Sequence, residues 1–274
     1  MIDAAGHPLT TNHLYFGWYY GKFRDLARVV KLFPGLSRLP TEYGAQALPD
    51  PESLEEIWPS GTPPDWEGLS LNYRLQVERM ARYVPWRGDQ KTFVRESQDY
   101  QAQVLKHATE LFRRRKYRPT GGTFAFMLND PAPAISWSVV DWRRRPKVAY
   151  EVLGAAMSPV LICAEYPKES YGVGERFSLP LFVVNDLSCG LGEVSWGWKL
   201  LLGGYSVAQG GGEAEVPKDS VVRIGEAKAT SPAPGPALLS LWLFSREAAV
   251  SNEYAFRVSE VGGRWLRGRS APEG

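Results

Sequence analysis

The spacing of apolar residues changes once along these 274 residues, close to Ser158, and that change limits the fold more than any other feature. Before it, short apolar runs alternate with long stretches spaced three and four apart, as strands and helices do in βα units. After it, helical spacing disappears, and short strand-like runs are separated by Gly-, Pro- and Asp-rich turns. Two domains are expected, an α/β unit over 1–158 and an all-β unit over 159–262, followed by a tail over 263–274.

In the first unit the aromatic run 13–20 precedes a helix over 23–33, which Pro34-Gly35 ends, and a short strand over 36–42 that carries Glu42 at its end. A Pro-rich loop over 48–65 leads to helices over 71–84 and 89–115. In the second of these, Phe93, Ser97, Tyr100, Val104, Ala108 and Leu111 share one face. Thr120-Gly121-Gly122 breaks the pattern before an apolar run over 123–128 suited to a buried parallel strand, and 146–157 reads as a closing helix with proline in its first turn. In the second unit, 160–166, 176–185, 193–202, 205–209, 221–229, 237–244 and 253–258 read as strands, the number found in an immunoglobulin-like sandwich. Alternation through Ser195-Trp196-Gly197-Trp198 suggests a half-exposed strand, while Gly210-Gly211-Gly212 and 231–236 read as turns.

Composition excludes several classes of function. Formal net charge is +2, and the basic runs Arg113-Arg114-Arg115-Lys116 and Arg143-Arg144-Arg145 are too short for a long cationic face, so nucleic acid is not an expected partner. Cys163 and Cys189 form no CxxC or His-containing metal spacing and read as core residues; no metal site, nucleotide-binding glycine loop or Ser-His-Asp arrangement is visible, and no cofactor is expected. No window approaches the roughly 18 apolar residues of a membrane span. Residues 1–11 lack the character of a signal peptide, which makes the cytoplasm the default compartment and leaves export open. Aromatic residues reach 12%, which suits a sugar-binding cleft because pyranose faces stack on aromatic rings, although core packing is their ordinary use.

The chemistry is concentrated in two segments. One is Leu39-Pro40-Thr41-Glu42-Tyr43-Gly44-Ala45-Gln46; the other is Gly121-Gly122-Thr123-Phe124-Ala125-Phe126-Met127-Leu128-Asn129-Asp130, leading into Ser136-Trp137-Ser138. Together they resemble the last barrel strands of glycoside hydrolase family 2, in particular its β-mannosidase-like branch. The resemblance implies the C-terminal portion of a (β/α)8 TIM barrel followed by an immunoglobulin-like β-sandwich. It implies the chemistry of a retaining exo-β-glycosidase, in which Glu42 is the nucleophile that forms a covalent glycosyl-enzyme.

His13-Leu14-Tyr15 resembles the His-x-Tyr of the preceding strand, whose tyrosine hydroxyl keeps the nucleophile ionised and aimed. With Phe126, Asn129 and Asp130, His13 and Tyr15 form the implied substrate-binding set. Blander readings stand beside these: Tyr15, Phe16, Trp18, Tyr19 and Tyr20 as an aromatic wall, and Asn129 and Asp130 as capping and turn residues. Phe126-Met127 stands where mannosidase-type members often have Trp-Gln, so the sugar is not fixed. Gln46 is expected to brace the loop after Glu42, and Trp137, Asp141 and Trp142 to pack beneath the site. The sandwich resembles the family's C-terminal domain through Val183-Val184-Asn185-Asp186-Leu187 and Asn252-Glu253-Tyr254-Ala255-Phe256.

A second carboxyl group is not evident. Before Glu42 the only acidic residues are Asp3 and Asp25, and neither follows an asparagine as the family's acid/base does. The chain is therefore read as beginning between the two catalytic carboxylates and as inactive or nearly so alone, since general acid catalysis contributes about 10² to 10⁴-fold. Its expected partners are a carbohydrate and either an upstream polypeptide completing the barrel or a second copy, because open strand edges invite pairing. The alternative is a noncatalytic carbohydrate-binding or interaction module in which Glu42 is a relic.

Overall fold

The computed structural model describes residues 11–166, 168 and 170–260; Asp3 and the expected tail over 263–274 lie outside the described residues. The chain divides after Ser158 into two compact units.

The first unit is a curled, open portion of a (β/α)8 barrel. Strand β1 (Thr11–His13) pairs in parallel with β2 (Leu39–Glu42), with a register shift between Asn12 and His13 that sets His13 opposite Glu42. Residues 121–126 run parallel along the other side of β2: Gly121 N donates to Arg38 O, Phe124 N to Pro40 O and Phe126 N to Tyr43 O, at 2.8–3.0 Å. The expected buried strand over 123–128 is not regular, and Phe124 and Leu128 are 59% and 65% exposed. Its backbone serves two neighbours. The donors up to Phe126 face β2, whereas Met127 N donates to Trp137 O and Leu128 O accepts from Val140 N, so no single ladder forms.

Helix α1 (Asp25–Leu32) follows β1, and a 3₁₀ turn over Pro34–Ser37 shortens the strand expected from residue 36. The Pro-rich loop includes a short helix, α2 (Pro51–Leu54), capped by Asp50. The helix expected over 71–84 is two helices, α3 (Trp66–Tyr73) and α4 (Val77–Tyr83). Arg74 is left-handed at φ 65° between them, and its carbonyl accepts from the Gln46 side chain, so a tertiary contact overrides local helical spacing.

Helix α5 (Gln90–Arg114) starts at Asp89, whose carboxylate accepts from Thr92 N at 2.8 Å. Its buried face mixes Phe93, Val104, Leu105, Leu111 and Phe112 with the polar Ser97, Gln98, Gln101 and Thr109. These polar groups hold chain that has left regular structure. Gln101 donates to the carbonyls of Ala45, Trp137 and Ser138, Ser97 accepts from Leu48 N, and Gln98 donates to Leu48 O and Pro49 O. The unit closes with α6 (Val148–Ala156).

The second unit is an immunoglobulin-like sandwich of two sheets. The strands are β3 (Val160–Ala164), β4 (Ser170–Gly172), β5 (Arg176–Asn185), β6 (Gly192–Leu202), β7 (Tyr205–Val216), β8 (Ser220–Thr230), β9 (Gly235–Phe244) and β10 (Ala249–Ser259). Their order is β4-β10-β9-β6-β7 in one sheet and β3-β5-β8 in the other. The sequence pattern omits β4, whose three residues are too few to show a period.

Gly210-Gly211-Gly212 is not a turn but the middle of β7, facing Trp198, Gly197 and Trp196 of β6. A Cβ at Gly210 would come 2.8 Å from Trp198 Nε1 and one at Gly211 would come 2.5 Å from Trp196 O, so glycine is required by close approach rather than by chain reversal. Trp196 and Trp198 are both buried, and the ring of Trp242 covers Gly197 between them, so β6 is more enclosed than alternation suggests.

Candidate active site

Glu42 ends β2 and is joined to the chain after β1 by two bonds. Leu14 N donates to Glu42 O at 2.7 Å, and the Tyr15 hydroxyl donates to Glu42 Oε2 at 2.7 Å. His13 Nδ1 lies 3.4 Å from the same oxygen, with the His13 side chain 60% exposed and that of Glu42 30% exposed, so solvent screens this second contact. Tyr15 is only 6% exposed. Burial first, then the hydrogen bond to Glu42 and the charges of Glu42 and Tyr19, push its hydroxyl well above the usual phenol range. It therefore stays a neutral donor, able to hold one carboxylate oxygen of Glu42 in a fixed direction.

An aromatic shell surrounds the pair. The Tyr15 ring lies 5.2 Å from that of Tyr19, 6.4 Å from Phe126 and 6.3 Å from Trp137, edge to face in each case. Behind Glu42, Tyr43 is fully buried against Phe112, and its hydroxyl shares a 2.9 Å hydrogen bond with Thr109. Gly44 has φ +150°, and a Cβ there would sit 2.7 Å from Phe126 O, which explains the glycine two residues after the carboxylate. Gln46, fully buried, donates to Arg74 O and accepts from Gln76 N at 2.9 Å, bracing the loop after Glu42.

His13, Tyr15 and Glu42 are thus brought together directly, and Phe126 joins them through ring contact. Asn129 and Asp130 are not joined to that group by a hydrogen bond among the described residues. Asp130 is 2% exposed and accepts from the hydroxyls of Ser136 and Ser138, while Asn129 Nδ2 donates to Asp130 O at 3.3 Å. Lys147, also buried, donates to Ala47 O at 3.1 Å; burial lowers its ammonium to about 8, against the opposing pull of Asp130 and Asp141. Asp141 accepts from Asp50 N, Arg143 N and Arg145 N, so these buried charges fasten the loop after Glu42 to the loop before α6. Trp142 lies farther out, with its indole N–H 3.4 Å from Glu56.

Asp25 caps its own turn by accepting from Lys22 N at 2.7 Å. Among the described residues no group of three or more His, Cys, Asp or Glu side chains is placed to hold a metal ion, and no helix is long and apolar enough to cross a membrane.

Sequence reading did not single out Gln76 and Arg79, which also reach this shell. The Gln76 side chain accepts from Trp18 Nε1 at 2.8 Å and donates to the Tyr19 hydroxyl at 3.0 Å, and the Arg79 guanidinium lies 4.4 Å from the Tyr19 ring centre. They come from the start of α4 and the residue before it, some sixty residues from their partners, and no local spacing signals such a contact.

A parallel barrel portion followed by a sandwich is also the fold of solved glycosidases, and the sequence resembles a glycoside hydrolase family. The chain is a homologue, over about 46% of its length, of the β-mannosidase-like proteins of glycoside hydrolase family 2. It is 30% identical over 145 residues to a β-mannosidase B of Thermothelomyces thermophilus, covering 46% of this chain and 17% of that one. It is 25% identical over 135 residues to a β-mannosidase B of Aspergillus niger, with 46% and 16% covered. The chain thus aligns with about a sixth of the length of these curated relatives. No family model matches it. Among solved structures, the fold is similar to a β-D-mannosidase from Dictyoglomus thermophilum, with TM-score 0.75 and 21% identity over 91% of this chain and 30% of that one. It is also similar to an exo-chitosanase from Amycolatopsis orientalis, with TM-score 0.64 and 16% identity over 92% and 31%.

Proposed function

We propose that this chain supplies the nucleophile side of a retaining exo-β-glycosidase active site of the β-mannosidase-like kind. Glu42 attacks the anomeric carbon, forming a covalent glycosyl-enzyme, and Tyr15 holds the carboxylate oriented. The observation that carries this reading is the 2.7 Å hydrogen bond from a buried tyrosine hydroxyl to a partly exposed carboxylate at a parallel strand's end. His13 and Phe126 contact the sugar beside it; Asn129 and Asp130 shape the loop beyond the last barrel segment and contribute to the sugar pocket from there.

Retention requires a second carboxyl group about 5 to 5.5 Å from the first, to protonate the leaving group and then activate water. No second carboxylate is hydrogen-bonded to the Glu42 group among the described residues. We assign that group to polypeptide beyond these strands, which completes the barrel along its open edges; this chain on its own then hydrolyses natural glycosides very slowly. The same observation favours a second reading, a noncatalytic carbohydrate-binding module that uses the aromatic shell alone.

Activated 2-deoxy-2-fluoro glycosides separate the two, because their leaving groups need no acid catalyst. Intact-mass spectrometry is expected to find one added sugar on the wild type and none on Glu42→Gln. A folded wild type that stays unlabelled by the manno-, gluco- and galacto-configured reagents, yet binds sugars, would establish the module instead.

A further inference from the structure

We infer that Tyr19 is a substrate-binding residue whose hydroxyl donates a hydrogen bond to an oxygen of a hexoside held against Glu42, and that Gln76 fixes this direction. The inference rests on the proposed role of the Glu42 site and adds to it a polar contact outside the set implied by the sequence.

The argument starts at Trp18, whose indole N–H can only donate. It lies 2.8 Å from the Gln76 side-chain carbonyl, so the oxygen of that amide faces Trp18 and its NH2 faces the other way. There it meets the Tyr19 hydroxyl at 3.0 Å. Because the amide nitrogen has only protons to offer, the tyrosine oxygen accepts, and the tyrosine's own proton is left free to be donated elsewhere. Gln76 is the one hydrogen-bond partner of this hydroxyl among the described residues.

The free donor sits beside the chemistry. The Tyr19 ring is 5.2 Å from that of Tyr15, whose hydroxyl holds Glu42, and it is half-buried rather than enclosed. Its position is fixed from several sides: Arg79 lies over the ring at 4.4 Å, Trp137 tilts against it at 6.3 Å, and Gln76 N is bound to Gln46, four residues beyond Glu42. A donor held this firmly loses little freedom on binding, and the ligand that fits it presents an acceptor oxygen at the carboxylate, as a sugar hydroxyl or ring oxygen does.

Two substitutions test this without removing an aromatic ring. Tyr19→Phe deletes the donor. Gln76→Glu leaves Tyr19 intact but replaces the amide NH2 by a carboxylate oxygen, which accepts from Tyr19 and so takes the proton away from the ligand. The probes are methyl β-D-mannoside, β-D-glucoside and β-D-galactoside, titrated by the fluorescence of the tryptophans at the site. For whichever sugar binds the wild type, each variant is expected to weaken binding ~3- to 10-fold, the worth of one neutral hydrogen bond. The double variant is expected to be no weaker than either single one, because both remove the same bond. Unchanged binding by Tyr19→Phe, or by Gln76→Glu with an unchanged melting temperature, overturns the inference while the labelling of Glu42 still stands. A wild type that neither binds these sugars nor is labelled at Glu42 overturns the functional reading, and this inference with it.

Discussion

The Tyr15 hydroxyl and Glu42 Oε2 lie 2.7 Å apart across 27 residues of sequence, and the tyrosine is too buried and too close to negative charge to give up its proton. The bond is therefore available at any pH at which the carboxylate is charged. Replacing Tyr15 by Phe removes a hydrogen bond to a charged group, worth about 1.5–3 kcal/mol, so labelling of Glu42 by a fluoro-glycoside should slow by roughly 10- to 100-fold. Time-resolved intact-mass measurement gives that rate. A Phe variant labelled as fast as wild type would show that the hydroxyl does not support the nucleophile.

Gly44→Ala should uncouple the two segments that frame the site. The new methyl would press on Phe126 O, 2.7 Å away, in a backbone conformation with φ +150° that alanine rarely adopts. A loss of about 1–3 kcal/mol is expected, with labelling of Glu42 reduced well beyond what the lower stability explains. Denaturant unfolding and labelling below the transition separate the two effects.

His107 should make the first unit sensitive to acid. Burial, with Arg24 and Arg114 nearby, lowers its imidazole from 6.5 to about 3 in the folded chain. Between those values the unfolded chain binds the proton and the folded chain does not. Stability is lost progressively as pH falls from 6.5 towards 3, and the penalty is constant below that. The melting temperature of wild type should thus fall relative to that of His107→Leu as pH falls from 7 to 4, and a constant difference would contradict this account.

In the sandwich, Gly210→Val tests whether the glycine run is strand rather than turn. A side chain there meets Trp198 Nε1 at 2.8 Å, so the ring must move. A cost of about 1–3 kcal/mol with a changed tryptophan emission is expected, whereas a turn on the surface would tolerate valine with no spectral change.

The same glycines illustrate what could be read from sequence and what could not. Strands such as Arg176–Asn185 and Gly192–Leu202 were legible because their own apolar pattern and flanking turns define them. Glycine at 210–212 looked like punctuation because its reason lies in the tryptophans opposite, on another strand. The gap between α3 and α4 was hidden for a similar cause: helical spacing continues through Arg74 and Leu75, and only the grip of Gln46 on Arg74 and Gln76 interrupts it. Residues 123–128 are apolar enough for a buried strand, yet their donors are divided between β2 and the 137–140 segment. At the candidate site, Glu42 and Tyr15 stood out because both fall in segments of recognisable pattern. Gln76, which orients the neighbouring hydroxyl, lies in a stretch whose helical spacing gives no sign of such a role, and its contacts with Trp18 and Tyr19 exist only once the chain has folded.

Lys147 has one more consequence. The residue is 1% exposed, and its ammonium is tied to Ala47 O, five residues beyond Glu42. An amine-reactive reagent in water would mark the surface lysines first and reach Lys147 only when the strap between these loops lifts. The order in which lysines become modified is therefore a clock for the opening of the chain behind the carboxylate, readable by peptide mapping without any sugar present.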